Sequence, residues 1–316
     1  VTTSGSVDFS VTRDQLITAA LQNIGAIGDG DTPTATQVTE ASILLNMLVK
    51  AKMADGMPLW ALKTGFLLPQ TGVSQISLGP SGGHATLSYT QTTLSAAAAA
   101  SASTIVVTSA TGFTSGYNIG IALADGTMHW TTINGAPAGT TITLTTALAS
   151  AASSGAYVYV YQTKLQRPLR IIDAYRLDVA STSRAPINIV TYTQYRGLGN
   201  HTSASEPNQL YYDPQLDNGV ASVYPRFYGG QFVVEFRFHR PFEDFDAASD
   251  TPDFPQEYYL PLMLSLSWIL AAKNGVTLEE RKLLMQESTM MWALALGNGT
   301  EEGSLFVQPD FREYRG

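Results

Sequence analysis

Apolar residues recur at helical spacing near both ends of the chain and at strand spacing between them. Ile17, Ala20, Leu21 and Ile24 form one stripe, opened by Thr12 and Gln15 and stopped by Gly25. Thr followed three residues later by Gln is a capping box: the hydroxyl accepts from a free backbone N–H and the amide reaches back. Thr34 and Gln37 repeat the device before Val38, Ala41, Leu44, Leu45 and Leu48, and that helix is expected to run to Asp55-Gly56, where Pro58 prevents its resumption. The pattern predicts a helical hairpin. Short strands are predicted over 66–68 and 74–78, ahead of a Gly-rich break at 79–83.

Later in the chain, strands are predicted over 169–174, 187–193, 222–227 and 231–238, the last placing Phe232, Val234, Phe236 and Phe238 on one face. Residues 258–272 are apolar nearly all round, which predicts a central buried helix. The stretch is shorter than the roughly twenty residues of a membrane span. Asn274-Gly275 ends it, and Thr277 with Glu280 caps another helix, carrying Leu283, Leu284, Met290, Met291 and Leu294 to a stop at Gly297. Beyond it no period survives, yet Leu305, Phe306, Val307, Phe311 and Tyr314 make an apolar tail with nothing local to bury it.

Between these flanks, residues 84–163 contain no Lys or Arg and a single acid, Asp125. An uncharged Thr/Ser/Ala/Gly-rich block between charged flanks reads as a domain inserted into a discontinuous one. Five β-rich runs are predicted in it, over 104–108, 117–123, 127–133, 140–145 and 156–161, with Asp125-Gly126 suiting a type I′ hairpin turn. Ala96 to Ala100 has helical propensity in a β context. The expected fold class is α+β: a helical-bundle core with a small β-sheet, interrupted by an inserted all-β barrel or sandwich. The expected segments are 1–83 and 164–296 for the core, 84–163 for the insert and 297–316 for the tail.

The net charge of −8 argues against a surface that clamps polyanions, which needs clustered Lys and Arg. The absence of Cys excludes disulfides, thiolate metal sites and cysteine nucleophiles. The opening Val-Thr-Thr-Ser-Gly has no signal-peptide pattern. Gly79-Pro80-Ser81-Gly82-Gly83 matches a nucleophile elbow, but β-rich sequence follows where a helix is required, so a turn is expected. Asp29, Asp31 and Glu40 have calcium-loop spacing, but Pro33 and Thr34 stand where a ligand and a Gly are needed. Glu243, Asp244, Asp246, Asp250 and Asp253 would suit a divalent-cation site or a pair of catalytic carboxylates, but a solvated loop before a helix N-terminus accounts for them without a ligand. His84, His129, His201 and His239 lack metal-ligand spacing. Tyr157, Tyr159 and Tyr161 share a strand face, as a core stripe or subunit contact would, or as an insert surface that stacks on sugars. Neither a catalytic residue, a metal ligand nor a cofactor is assigned.

Joined across the insert, the flanks resemble the head-to-tail adaptor family of short-tailed phages, also called head-completion or packaged-DNA-stabilisation proteins. The resemblance lies in VTRDQLITAALQNIGAIGDGDTPTATQVTEASILLNMLVKAKMADGMPLW over 11–60, RPLRIIDAY over 167–175, YYDP over 211–214, YPRF over 224–227 and DTPDFPQEYYLPLMLSLSWILA over 250–271. It departs at the insert, where compact members pass almost directly from a short strand to the Arg-Pro segment. The resemblance implies a non-enzymatic virion protein made in the host cytoplasm and placed at the head-tail junction. There a homo-oligomeric ring of about twelve copies binds the portal protein, extends the DNA channel and helps retain packaged DNA. It also offers a platform to a tail nozzle or tail tube protein. DNA passes without sequence-specific binding and no membrane is involved. Portal docking would use Leu305, Phe306, Val307, Phe311 and Tyr314; the insert, by its near absence of charge rather than by the resemblance, is expected to contact capsid, neighbouring adaptor subunits or tail fibres. An acidic channel would repel sliding DNA. The alternative is a tail-associated glycan-binding or peptidoglycan-cleaving protein.

Overall fold

The computed structural model describes residues 5–53 and 59–297. Its helices are α1 (Arg13–Asn23), α2 (Ala35–Lys52), α3 (Tyr192–Arg196), α4 (Tyr259–Ala271) and α5 (Leu278–Gly297). Strands β1 (Leu62–Leu67), β2 (Gln75–Leu78) and β3 (Ala85–Thr86) precede the insert. The insert holds β4 (Thr90–Thr93), β5 (Thr104–Val106), β6 (Asn118–Ala122), β7 (Met128–Thr132), β8 (Thr141–Thr143) and β9 (Tyr157–Tyr161). After it come β10 (Arg170–Asp178), β11 (Arg184–Ile189), β12 (Gln209–Asp213), β13 (Gly219–Tyr224) and β14 (Phe232–His239). The chain divides into two units, one carrying α1, α2, α4 and α5, the other spanning Ala61–Pro241.

The expectation of a helical-bundle core with a small sheet is overturned. The fold is mostly β, built on an eight-stranded, nearly closed, barrel-like sheet in the order β2-β13-β12-β11-β10-β14-β1-β3, with two further sheets. The physical reason is the range of the signals. A capping box declares a helix within a few residues, whereas β1 and β2 find their partners β14 and β13 on the far side of the insert. β1 is further disguised by Gly65, because a Cβ there would come within 3.0–3.2 Å of the Phe236 and Phe238 rings. The inward positions of the sheet, among them Leu67, Leu78, Ile171, Leu210, Phe236 and Phe238, form one buried cluster.

The insert is all β. A four-stranded sheet, β4-β9-β6-β7, and a β5-β8 pair enclose Leu94, Ile105, Ile119, Ile142, Val158 and Val160. Its ends meet where Leu165 N–H donates to the Ala85 carbonyl at 2.7 Å. The hairpin at Asp125-Gly126 forms with positive φ at Gly126 alone, not at both positions of a type I′ turn. Asp125 instead accepts from Thr127 N–H through its side chain, which holds the turn without the left-handed conformation. β4, a polar Thr-Gln-Thr-Thr run, has no hydrophobic alternation to announce it, and Ala98 in the alanine run bridges to Ala152 as strand-like backbone.

In the helical unit, both predicted capping boxes are present at Thr12/Gln15 and Thr34/Gln37. α4 buries Leu262, Leu264, Leu266 and Leu270 and packs on α1, α2 and α5, as its all-round apolar sequence implies. α5 departs from its apolar pattern. It turns Ser288, Trp292 and Ala295 inward and leaves Leu283, Met290 and Leu294 56%, 55% and 60% exposed.

Candidate functional site

The reactive motifs dissolve into architecture. Ser81 lies in the turn joining β2 to β3 and its hydroxyl accepts from Asn218 Nδ2 at 2.8 Å. Gly82 N–H closes that turn on the Gly79 carbonyl, and Gly83 N–H donates to Ser77 O at 2.7 Å. Asp31 accepts from Gly28 N–H while Glu40 pairs with Lys273 at 2.8 Å, so the calcium-loop spacing gathers no ligand set. In the acidic loop, Asp250 Oδ2 accepts from the backbone N–H groups of Asp246 and Ala247 at 2.8 and 2.6 Å, and Asp253 accepts from Glu243 N–H. Lys50 pairs with Asp244 at 2.5 Å. These carboxylates fold the loop. Among the described residues no group of three or more His, Cys, Asp or Glu is arranged to hold a metal ion.

The histidines are dispersed. His84 is half-buried and stacked on Trp130, His129 Nε2 lies 3.2 Å from the Thr146 carbonyl, and His201 packs on Tyr195. Burial, and after it the charge of Arg170, lowers the pKa of His239.

Of the two readings of the tyrosine stripe, the structure overturns the insert surface and supports the core stripe. Tyr159 and Tyr161 are 0% and 2% exposed and Tyr157 is half-buried, because β9 is covered on both faces. Val158 and Val160 enter the insert's own core, while Tyr159 and Tyr161 join Leu68 and Val233 in a seam with the large sheet. The Tyr159 hydroxyl donates to the Gly230 carbonyl, and burial pushes the pKa of both tyrosines up. The seam carries further directional bonds, from Trp130 Nε1 to Pro69 O at 3.1 Å and from Met128 N–H to Thr71 Oγ1 at 2.9 Å. Leu305, Phe306, Val307, Phe311 and Tyr314 lie outside the described residues.

Two surfaces were not read from the sequence. The first is the apolar stripe of α5, accompanied on α2 by exposed Ile43 and Met47. Its signal was present in the helical spacing of Leu283, Met290 and Leu294. The second is an aromatic cleft of about 300 Å³ in the β unit. Gln75, Ser222 and Tyr211 form a cross-strand row over β2, β13 and β12. Their neighbours Leu210, Ala221 and Val223 point to the core, so the row lies on the other face of the sheet, where Ser222 is itself buried. α3 brings Tyr192 and Tyr195 to this row, fixed by a capping box between Thr191 and Gln194. The Tyr192 and Tyr211 rings are 5.6 Å apart and inclined at 57°, and Tyr195 lies 6.1 Å from Tyr211. Arg196 stands 6.0 Å from the Tyr192 ring centroid and makes no ion pair among the described residues. A capping box inside a run predicted as strand was the available clue.

The sequence matches no model of a known protein family, and no curated protein aligns with it significantly.

Proposed function

We propose that this chain is a structural subunit of a multi-copy virion joint, a head-to-tail adaptor of a short-tailed phage. In this reading it binds the portal protein, extends the DNA channel, helps retain packaged DNA and presents a platform to the next tail component. The observation that carries the reading is the orientation of α5. A helix that buries Ser288, Trp292 and Ala295 while displaying Leu283, Met290 and Leu294 is built for a neighbour, since exposed large apolar side chains gain stability only when covered. The order of the flanking motifs supports the adaptor class, and the net charge of −8 suits a conduit that must not grip its cargo. The candidate nucleophile and the carboxylates are engaged in turns, which favours a structural role over a hydrolytic one.

The test is Leu283, Met290 and Leu294 each changed to Glu in one variant, mixed with portal protein and followed by sedimentation. The reading expects a folded variant, by circular dichroism, whose assembly is weakened at least about tenfold. Assembly equal to that of the unmodified chain would refute it.

A further inference from the structure

We propose that the cleft between α3 and the β2-β13-β12 face is a binding site for an acidic saccharide. The inference is independent of the adaptor reading, because every residue it uses lies in the β unit and the binding needs no assembly.

The cleft combines ring faces with hydrogen-bonding groups at its margin. Tyr192 is 56% exposed, and the inclined Tyr192 and Tyr211 rings, with Tyr195 behind them, leave an angled aromatic wall. A sugar ring has an apolar C–H face that packs on such a wall and hydroxyls round its edge that need partners. Ser74, Gln75 and His201 supply these at the rim. The volume of about 300 Å³ suits a compact ligand. The site is pre-set: the Thr191/Gln194 box fixes α3 and the strand ladder fixes Tyr211, so little ordering opposes binding.

Arg196 selects the charge. Its guanidinium has no carboxylate partner among the described residues and stands beside the aromatic wall. A planar fork of donors matches a carboxylate in two parallel hydrogen bonds, so a sugar bearing a carboxyl group fits better than a neutral one. A nucleic acid fits less well. Stacking on tyrosines would serve a base, but phosphate binding needs a track of cations, and the cleft offers one in a chain of net charge −8.

The test uses saturation-transfer NMR and calorimetry on the full chain with three probes: oligogalacturonate, maltodextrin and oligothymidylate. Oligogalacturonate is expected to bind most tightly. Tyr192→Ala, at an exposed position that leaves the capping box intact, is expected to weaken it about tenfold, and Tyr211→Ala similarly. Arg196→Gln is expected to bring oligogalacturonate down to the level of maltodextrin without changing maltodextrin itself. The proposal is overturned by an absence of saccharide binding, by equal binding of acidic and neutral sugars, by preference for oligothymidylate, or by binding indifferent to all three substitutions.

Discussion

The imidazole of His84 lies flat on the indole of Trp130, with ring centroids 3.8 Å apart and planes inclined by 9°. Its Nδ1 shares a hydrogen bond of 2.8 Å with the Tyr161 hydroxyl. Burial, and after it the charge of Lys164, lowers its pKa to about 3. The residue that opens the insert is therefore a neutral ring clamped in the seam between the insert's sheet and the large sheet.

A pH dependence follows. Below about pH 6.5 the unfolded chain protonates His84 and the folded chain does not until about pH 3, so the unfolded state binds more protons across that window. Stability contributed by the neutral ring is complete above pH 6.5 and falls as pH drops, by at most about 1.4 kcal/mol per pH unit. Thermal melts from pH 7.5 to 4.5 are expected to show a steeper loss for the unmodified chain than for His84→Gln. Parallel curves would contradict the half-buried, neutral assignment.

Gly120 is required by the same indole. A Cβ at that position would stand 2.6 Å from three atoms of the Trp130 ring. Gly120→Ala is expected to cost about 1–3 kcal/mol in urea denaturation. In a Trp130→Leu background the same change is expected to cost much less, giving a coupling energy above about 0.5 kcal/mol.

Tyr159 tests the seam's polar content. Its hydroxyl donates to the Gly230 carbonyl at a fully buried position, so Tyr159→Phe leaves a buried acceptor unpartnered and is expected to cost about 1–3 kcal/mol. Tyr157→Phe, at a half-buried position, is expected to cost under about 0.5 kcal/mol. Equal losses in the two variants would place Tyr159 elsewhere.

The tail is separable on the adaptor reading. Deleting residues 298–316 is expected to leave the melting curve unchanged and to abolish attachment to the portal protein, measured by co-sedimentation. Attachment at unchanged affinity would remove Leu305, Phe306, Val307, Phe311 and Tyr314 from the contact.

What was legible in the sequence was what chemistry writes locally. Thr12/Gln15 and Thr34/Gln37 announced their helices, and the alternation of Phe232, Val234, Phe236 and Phe238 announced β14. What was hidden depends on partners distant in the chain. Gly65 weakens the reading of β1 because two phenylalanines of β14 need its missing side chain. Tyr159 and Tyr161 were left open between a core stripe and an insert surface because their cover, Leu68 and Val233, belongs to the flanks. The α5 stripe was legible as a stripe, but periodicity marks a face that will be covered without saying whether the cover is the same chain. The cleft needed α3, whose Thr191/Gln194 box was masked by the β-branched residues before it.

The central claim is that this chain builds a joint on a portal, and the most direct measurement is the native mass of the purified chain mixed with its portal protein over a range of ratios. The account expects one discrete complex with a fixed number of copies per portal ring that persists on dilution. Portal and chain recorded as separate species at every ratio would contradict it.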